Sequence, residues 1–459
     1  MTAEEKRKVQ EGFNFLVEFE NIQNIFLPEL KKWLSGVKDP RNLQYTTYPA
    51  ELLLYVMIIK HATGLFSMRR MTEKLNNDNA IQNMKEILGL PFLEKLPHHD
   101  TINDFLKGLE ISELEEIRIK IIKKLLQDTR FHQFMIRANR LSKGKNGCWS
   151  IIVDGTCLYS FNQRHCEHCL TRTHKNKKGE QWTEYYHNVL EFKLRLGDMV
   201  MSIHTEFIEN ETTDISKQDC ELNAFYRAEK ALAANLEGIP VCLQADSLYA
   251  CEPVFQICTK NHWDFLIRLK DNRLKTVTRL FKESKNKDKV KWKITQKNKK
   301  TGEDTIFHSY FANEIEYKKG KINVLEVVEM QLDGKEHKLP KRFFFITSFK
   351  ITKNNQLHLA LQGRARWKIE NEGFNRQKNS AMNIQHLNCH DYDAMKNHYL
   401  LSQISDILMQ LYEKGVELFK VIKKTVKEKA EDLLEVIRTH RLTVSDLKNM
   451  KKNRQVLIT

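Results

Sequence analysis

A chain of 459 residues and 54.3 kDa, with 41% hydrophobic residues, is long enough for two or three globular domains. Its formal net charge of +16 favours a polyanionic partner. Nucleic acid is preferred to a membrane, because no apolar run approaches the roughly 20 residues that a transmembrane helix needs. Nine cysteines and a charged beginning without a signal peptide predict a protein of the reducing cytoplasm.

Residues 1–145 are predicted to form a helical N-terminal domain. Apolar residues recur there at helical spacing, for example at Leu52, Tyr55, Val56 and Ile59. Asp100 or Thr101 can cap the first free amides of a further helix. Short helices in a basic chain can form a helix-turn-helix that reads DNA, and a helical scaffold without that role is the alternative. A linker at 142–147 ends the domain.

From residue 149 onward, strands dominate the pattern. Residues 150–153 suit a buried strand that leads into Asp154, where Gly155 is expected to break the strand. Residues 239–245 repeat this arrangement and lead into Asp246. The other predicted elements are strands at 186–196 and 199–208, a helix at 219–235, a helix at 253–258 and a strand at 263–269. This order predicts a mixed sheet with carboxylates at strand ends.

Residues 276–342 are predicted to form an inserted basic β subdomain. Between residues 281 and 300, nine lysines stand against two acidic residues. A solvated face is the usual explanation of such a run, but an aromatic side chain within it favours stacking on an unpaired or flipped base. The candidate DNA-binding residues are Trp292 and three lysines, here called the insertion lysines: Lys291, Lys293 and Lys297.

A third carboxylate, Glu370, lies in a segment predicted to be helical, with Arg366 one turn earlier on the same face. Glu372 is an alternative that lies about 200° around the helix. Three carboxylates from three separate elements suit a pair of hard divalent cations. The stretches around them together resemble bacterial insertion-sequence transposases of the DDE class: residues 151–156, 244–249, 345–348 and 366–371.

The resemblance covers about residues 95–412 and is closest to the branch with a β-strand insertion between the second Asp and the Glu. It implies a ribonuclease-H-like core at 146–275 and 343–412, with a helical C-terminal tail at 413–459. It further implies DNA cleavage at element ends and strand transfer into a target, using two Mg²⁺ or Mn²⁺ ions. The implied ligands are Asp154, Asp246 and Glu370, with Arg366 beside them.

The implied partners are terminal inverted repeats and target DNA, bound by a homodimer at the nucleoid of a bacterial cytoplasm. Gly363 stands where this branch commonly has Tyr, and Lys378 falls one residue later than the family's Lys, after Gln377. Lys378 nevertheless remains a candidate contact to DNA. Two alternatives are a DNA-binding regulator that kept the fold without the chemistry, and a stand-alone nuclease of the same fold.

A possible second metal site involves Cys166 and Cys169, whose spacing is that of half a zinc site. His174 is the predicted third ligand, while Cys157 and His187 are candidates that only folding could bring near. A basic loop with reduced thiols is the alternative. Beyond this loop, an apolar helix at 399–412 is expected to pack on the sheet. The tail that follows, with a net charge of +5 over 415–459, is expected to contact a second subunit or a DNA end.

Overall fold

The protein is described by a computed structural model that covers residues 13–137, 147–211, 213, 217–270, 273–287, 292–297, 304–318, 320–331, 340–450, 456 and 458. Helices precede and follow a mixed sheet, as the sequence predicts for an α/β chain. Within these residues no helix combines the length and the apolar character that crossing a membrane requires. The predicted linker at 142–147 lies outside the described residues except for Gly147.

The N-terminal part is helical, as predicted. Its helices are α1 (Phe15–Phe26), α2 (Leu30–Ser35), α3 (Ala50–Ala62), α4 (Met68–Leu75), α5 (Asp78–Leu88), α6 (His99–Gly108) and α7 (Ile111–Gln127). Helix α3 is buried along almost its whole length, as expected for a helix that is apolar on every side. Helix α6 begins earlier than predicted: the cap is His98, whose side chain accepts a hydrogen bond from the Asp100 amide.

The sheet begins with β1 (Trp149–Phe161), β2 (Leu170–Lys175), β3 (Gln181–Leu196) and β4 (Met199–Ile208). Strand β3 pairs antiparallel with β1 on one side and with both β2 and β4 on the other. Helix α8 (Glu221–Asn235) then leads to β5 (Val241–Ala245), and helix α9 (Glu252–Lys260) leads to β6 (Asp264–Leu269). Strands β5 and β6 extend the sheet in parallel beyond β1. These elements follow the predicted order of strands and helices, with β2 as an additional strand that the sequence analysis did not predict.

The inserted strands, which the sequence predicts as an inserted β subdomain, continue this same sheet. After helix α10 (Lys275–Lys287) come β7 (Trp292–Lys297), β8 (Asp304–Tyr317), β9 (Gly320–Gln331) and β10 (Lys341–Thr347). Strand β10 pairs antiparallel with β6, and β9, β8 and β7 follow in that order. The basic run therefore begins as a helix and ends on an outer strand. Trp292, Lys293 and Lys297 lie on β7, while Lys291 lies outside the described residues.

The chain returns to the sheet through helix α11 (Gln356–Arg364), a 3₁₀ turn (Ala365–Trp367), a π-helical segment (Ile369–Asn375) and helix α12 (Arg376–Asn379). Helix α13 (Tyr392–Gly415) is buried over most of its 24 residues and lies between the sheet and the N-terminal helices. On one side, the Gln410 side chain bonds the backbone N–H and C=O of Val200 on β4 at 2.7 and 3.0 Å. On the other, Asn397 Nδ2 donates to Leu106 O on α6 at 2.9 Å.

The C-terminal tail packs on the N-terminal helices. It comprises α14 (Leu418–Val421), α15 (Val426–Thr439) and α16 (Val444–Met450). Leu433 and Ile437 of α15 are fully buried. The Asn83 amide of α5 donates to Ile437 O at 3.0 Å and to His440 O at 2.8 Å, and its oxygen accepts from Leu442 N at 2.9 Å. The apolar face of α15, which the sequence assigned to a subunit or DNA contact, is therefore covered within the chain.

Candidate active site

Asp154 and Asp246 follow the last paired residues of two neighbouring parallel strands. The β1–β5 pairing ends at Ile152 opposite Gln244, so each aspartate stands two residues further along its strand. Both strands are buried up to that point, so their first partly exposed side chains lie at the same edge of the sheet. Strand β1 nevertheless continues to Phe161, so the prediction that Gly155 breaks it was wrong: β3 still pairs with β1 there.

Arg366 connects the third carboxylate to the first. Its guanidinium group is 5% exposed and donates to Asp154 Oδ2 and to Glu370 Oε1, both at 3.0 Å. The 3₁₀ turn carries Arg366 and the π-helical segment carries Glu370, so the predicted helix is present but is not a regular α-helix. Irregular helical turns of this kind often occur at functional sites.

Asp154 lies close enough to Glu370 and Asp246 for their charges to affect its pKa. Burial raises the pKa of Asp154, the Arg366 charge opposes this rise, and the charges of Glu370 and Asp246 add to it. Asp246 Oδ1 accepts from Leu248 N at 2.8 Å, and its Oδ2 lies 3.3 Å from Lys270 Nζ. The structure thus gathers all three predicted acidic residues at one edge of the sheet. Their role as metal ligands stays a prediction.

Glu221 is a fourth carboxylate at this edge, and the sequence reasoning missed it. It is the first residue of α8, and the Tyr249 hydroxyl donates to its Oε2 at 3.4 Å. A Cβ atom on Gly155 would lie only 2.4 Å from Glu221 Oε1, so glycine provides the space for this carboxylate. Burial raises the pKa of Glu221, and the charges of Asp154 and Asp246 raise it further. The available signal was Gly155 itself, directly after the aspartate.

The residues around Glu370 separate into buried and exposed positions. Glu372 is exposed, whereas Gln377 is fully buried and bonds Lys193 Nζ at 3.0 Å. Lys378 is half-buried, and burial lowers its pKa, while Cys157 on β1 opposes this shift. Lys378 lies on α12, the helix that directly follows the π-helical segment carrying Glu370.

Gly363, at the position of the family's Tyr, has no space for a larger side chain. A Cβ atom there would lie 2.6 Å from the Phe345 ring.

Positive side chains, including that of Lys270, line a cavity of about 370 Å³. The basic residues of its lining are Arg268, Lys270, Lys282 and Arg342.

The predicted zinc ligand His174 lies apart from the cysteine pair, which corrects the sequence prediction. Its Nε2 is 2.6 Å from Glu184 Oε2, and its ring stacks on Trp182 at 5.1 Å. His187 lies beside both cysteines instead, with its Nε2 at 3.4 Å from each sulfur. The sequence could not select His187 because strand pairing between β1 and β3 brings it there.

Comparison with known families concerns the N-terminal helices. The family model of a transposase domain, DUF772, matches residues 5–108. These residues are similar to a transposase domain. The match includes α1–α6 and supports a transposase of the insertion-sequence type, as the sequence motifs further along the chain predicted. No curated protein matches the chain. This similarity suggests a role in transposition, with DNA as the partner.

Proposed function

We propose that the protein is a DDE transposase that cleaves DNA at the ends of an insertion sequence and joins those ends to target DNA. One observation carries the proposal: a single buried guanidinium, that of Arg366, bonds both Asp154 and Glu370 at 3.0 Å beside Asp246. These acidic residues come from three separate elements and meet at one edge of the sheet. The match of residues 5–108 to a transposase domain supports the same function independently.

The arrangement of strands supports a ribonuclease-H-like core. The order β4-β3-β1-β5-β6 has three antiparallel strands followed by two parallel ones, each of which is reached through a helix. Asp154 on the central strand and Asp246 after its parallel neighbour occupy the edge at which such a sheet presents its carboxylates. The strands β7–β10 then separate Asp246 from Glu370 in sequence, as a β-strand insertion would.

The donor atoms of Asp154, Asp246 and Glu370 are all carboxylate oxygens, which are the ligands that Mg²⁺ and Mn²⁺ prefer. Two such ions, when bound, would activate the attacking oxygen and stabilise the leaving oxygen of a displacement at phosphorus. In the structure, Arg366 offsets part of the charge of Asp154 and Glu370, and Lys270 pairs with Asp246. The donor set therefore fits a divalent metal site.

The residues of the chain itself orient the carboxylates and attract DNA. Arg366 fixes Glu370 relative to Asp154, because its two terminal nitrogens donate to both groups. Glu221 adds a fourth carboxylate near Asp154 and Asp246 and would help to position a bound cation. Lys378 and the basic cavity beside Asp246 supply positive charge on either side, which favours phosphate groups of a duplex.

The experiment compares the protein with its Asp154→Asn, Asp246→Asn and Glu370→Gln variants. Short inverted repeats in the DNA that flanks the reading frame define the duplex substrate, and Mg²⁺-dependent cleavage and strand transfer into a plasmid are followed on gels. Each variant should lose both reactions while it retains DNA affinity, because the basic surface is unchanged.

The outcomes separate the proposal from its alternatives. Cleavage without strand transfer would identify a nuclease of the same fold. Sequence-specific binding of the repeats by the unaltered protein without cleavage in Mg²⁺ or Mn²⁺ would identify a regulator. Full activity in any of the three variants would remove that residue from the proposed metal site.

A further inference from the structure

Two sulfurs and one imidazole form a compact cluster at the far end of β1. Cys166 and Cys169 belong to the loop between β1 and β2, and His187 lies on β3 opposite Tyr159. The sulfurs are 3.8 Å apart, and His187 Nε2 is 3.4 Å from each. A disulfide would hold the sulfurs at about 2.05 Å, so this pair is reduced.

These separations are those of ligands around one tetrahedral zinc ion. With Zn–S bonds of about 2.3 Å and Zn–N bonds of about 2.05 Å, two sulfurs lie about 3.8 Å apart and a sulfur and a nitrogen about 3.6 Å apart. The measured 3.8 and 3.4 Å agree with both values to within about 0.2 Å, the tolerance expected of a metal site. Three corners of a tetrahedron are therefore already formed.

His165 is the candidate for the fourth corner. One of its ring nitrogens lies within 4.8 Å of the ligand atoms of Cys166 and His187. Its Nδ1 is buried and has no hydrogen-bond partner in the part of the chain that the structure describes, while its Nε2 lies 3.0 Å from His390 Nδ1. A metal-bound imidazole is usually oriented in this way, through a hydrogen bond of its other nitrogen. In addition, the Cys166 amide donates to Cys169 Sγ at 3.4 Å.

We propose that His165, Cys166, Cys169 and His187 bind one structural Zn²⁺ ion. Four protein ligands leave no open position, which is typical of a structural site rather than a catalytic one. Thiolate and imidazole ligands select zinc over the hard cations that carboxylates prefer.

The zinc site is separate from the carboxylates. Tyr159, opposite His187, lies five residues beyond Asp154 along β1, or about 17 Å at about 3.3 Å per residue. The bound ion fastens the loop after β1 to β3. Through His390 it also orders the segment just before α13. Because this role requires no DNA chemistry, the proposal stands or falls independently of the transposase function.

The test measures metal in the full-length protein purified without added metal. Elemental analysis should find about one zinc per chain, and this zinc should persist through dialysis against Mg²⁺. Replacing it with Co²⁺ should produce the intense visible bands of tetrahedral cobalt and a thiolate-to-cobalt charge-transfer band. This spectrum requires no variant, so it is unaffected if a substitution prevents folding.

Variants then identify the ligands. Cys169→Ser and His165→Asn should both lose the bound zinc. After loading with Co²⁺, Cys169→Ser should weaken the charge-transfer band, and His165→Asn should weaken the tetrahedral cobalt spectrum. His174→Gln on β2 and Cys157→Ser on β1 lie on the strands that flank this loop; as matched controls they should keep about one zinc per chain. A wild-type protein that contains no zinc and takes up Co²⁺ without a charge-transfer band would overturn the proposal. Loss of zinc in His174→Gln with retention in His165→Asn would overturn the ligand set.

Discussion

Lys60 provides a quantitative test of the packing between the N-terminal helices and α13. Its side chain is completely buried on α3, and its Nζ has no hydrogen-bond partner among the described residues. Burial lowers the pKa of Lys60 from 10.5 to about 7, because the ammonium loses its hydration. Burial also lowers the pKa of the neighbouring His398, and the charge of Lys60 lowers it further.

The free-energy cost of burying Lys60 follows from this pKa difference. When a lysine has a lower pKa in the folded chain than in the unfolded chain, its burial does not reduce the free energy of unfolding at a pH above the unfolded pKa. As the pH falls from the unfolded pKa toward the folded pKa, the free energy of unfolding decreases. At about 1.4 kcal/mol per pKa unit, the penalty is about 4 kcal/mol at pH 7 and about 1 kcal/mol at pH 10.

Lys60→Met removes the charge and keeps the length of the side chain. Urea denaturation should show the variant to be more stable than the unaltered protein by about 4 kcal/mol at pH 7 but by only about 1 kcal/mol at pH 10. Any change in packing is independent of pH and cancels in the comparison. Lys123→Met, an exposed substitution on α7, is the control and should show no such trend. A variant whose stability relative to wild type is the same at both pH values would refute the reasoning.

Three further predictions concern the active site and the DNA surface. Glu372→Gln should keep at least part of the cleavage activity that Glu370→Gln abolishes, and equal loss in the two variants would make Glu372 the ligand. Glu221→Gln should raise the Mg²⁺ concentration for half-maximal cleavage by about 10-fold, as loss of a supporting carboxylate does, and an unchanged Mg²⁺ requirement would count against its role. Replacing the insertion lysines with Ala should flatten the salt dependence of duplex binding by about 0.9 in log–log slope per lost phosphate contact. Trp292→Ala should leave that slope unchanged and impair distortion of the DNA end, and an unaltered slope in the triple variant would favour a merely solvated strand.

Local patterns in the sequence were sufficient to predict the strands that carry the aspartates. The segments that end at Asp154 and Asp246 are short and mostly apolar because both faces of these central strands are covered. The alternation in the inserted strands was also recognised. Their partner was not, because the pairing of β10 with β6 joins residues about 80 positions apart and leaves no local signal.

The sequence reasoning was weakest where a contact depends on the approach of distant backbones. Glu221 reaches the aspartates only because Gly155 lacks a Cβ atom, and nothing in the residues around Glu221 indicates this. In the cysteine loop, His174 is closer to Cys169 in sequence than His187 is. The antiparallel pairing of β1 with β3 nevertheless brings the more distant histidine to the sulfurs.

Helix α13 has a geometric consequence for any DNA held by the N-terminal helices. Because the same buried helix is bonded to Leu106 on α6 and to Val200 on β4, the two parts of the chain cannot swivel independently. The exposed Arg69 and Arg70 of α4 therefore keep a fixed distance and rotation relative to Asp154. A duplex turns once every 10–10.5 base pairs. Five extra base pairs between a bound sequence and the bond to be cut would turn that bond to the opposite side of the duplex, while ten would return it. Cleavage would therefore depend on whether the spacing between the bound sequence and the cleaved bond is a whole number of helical turns.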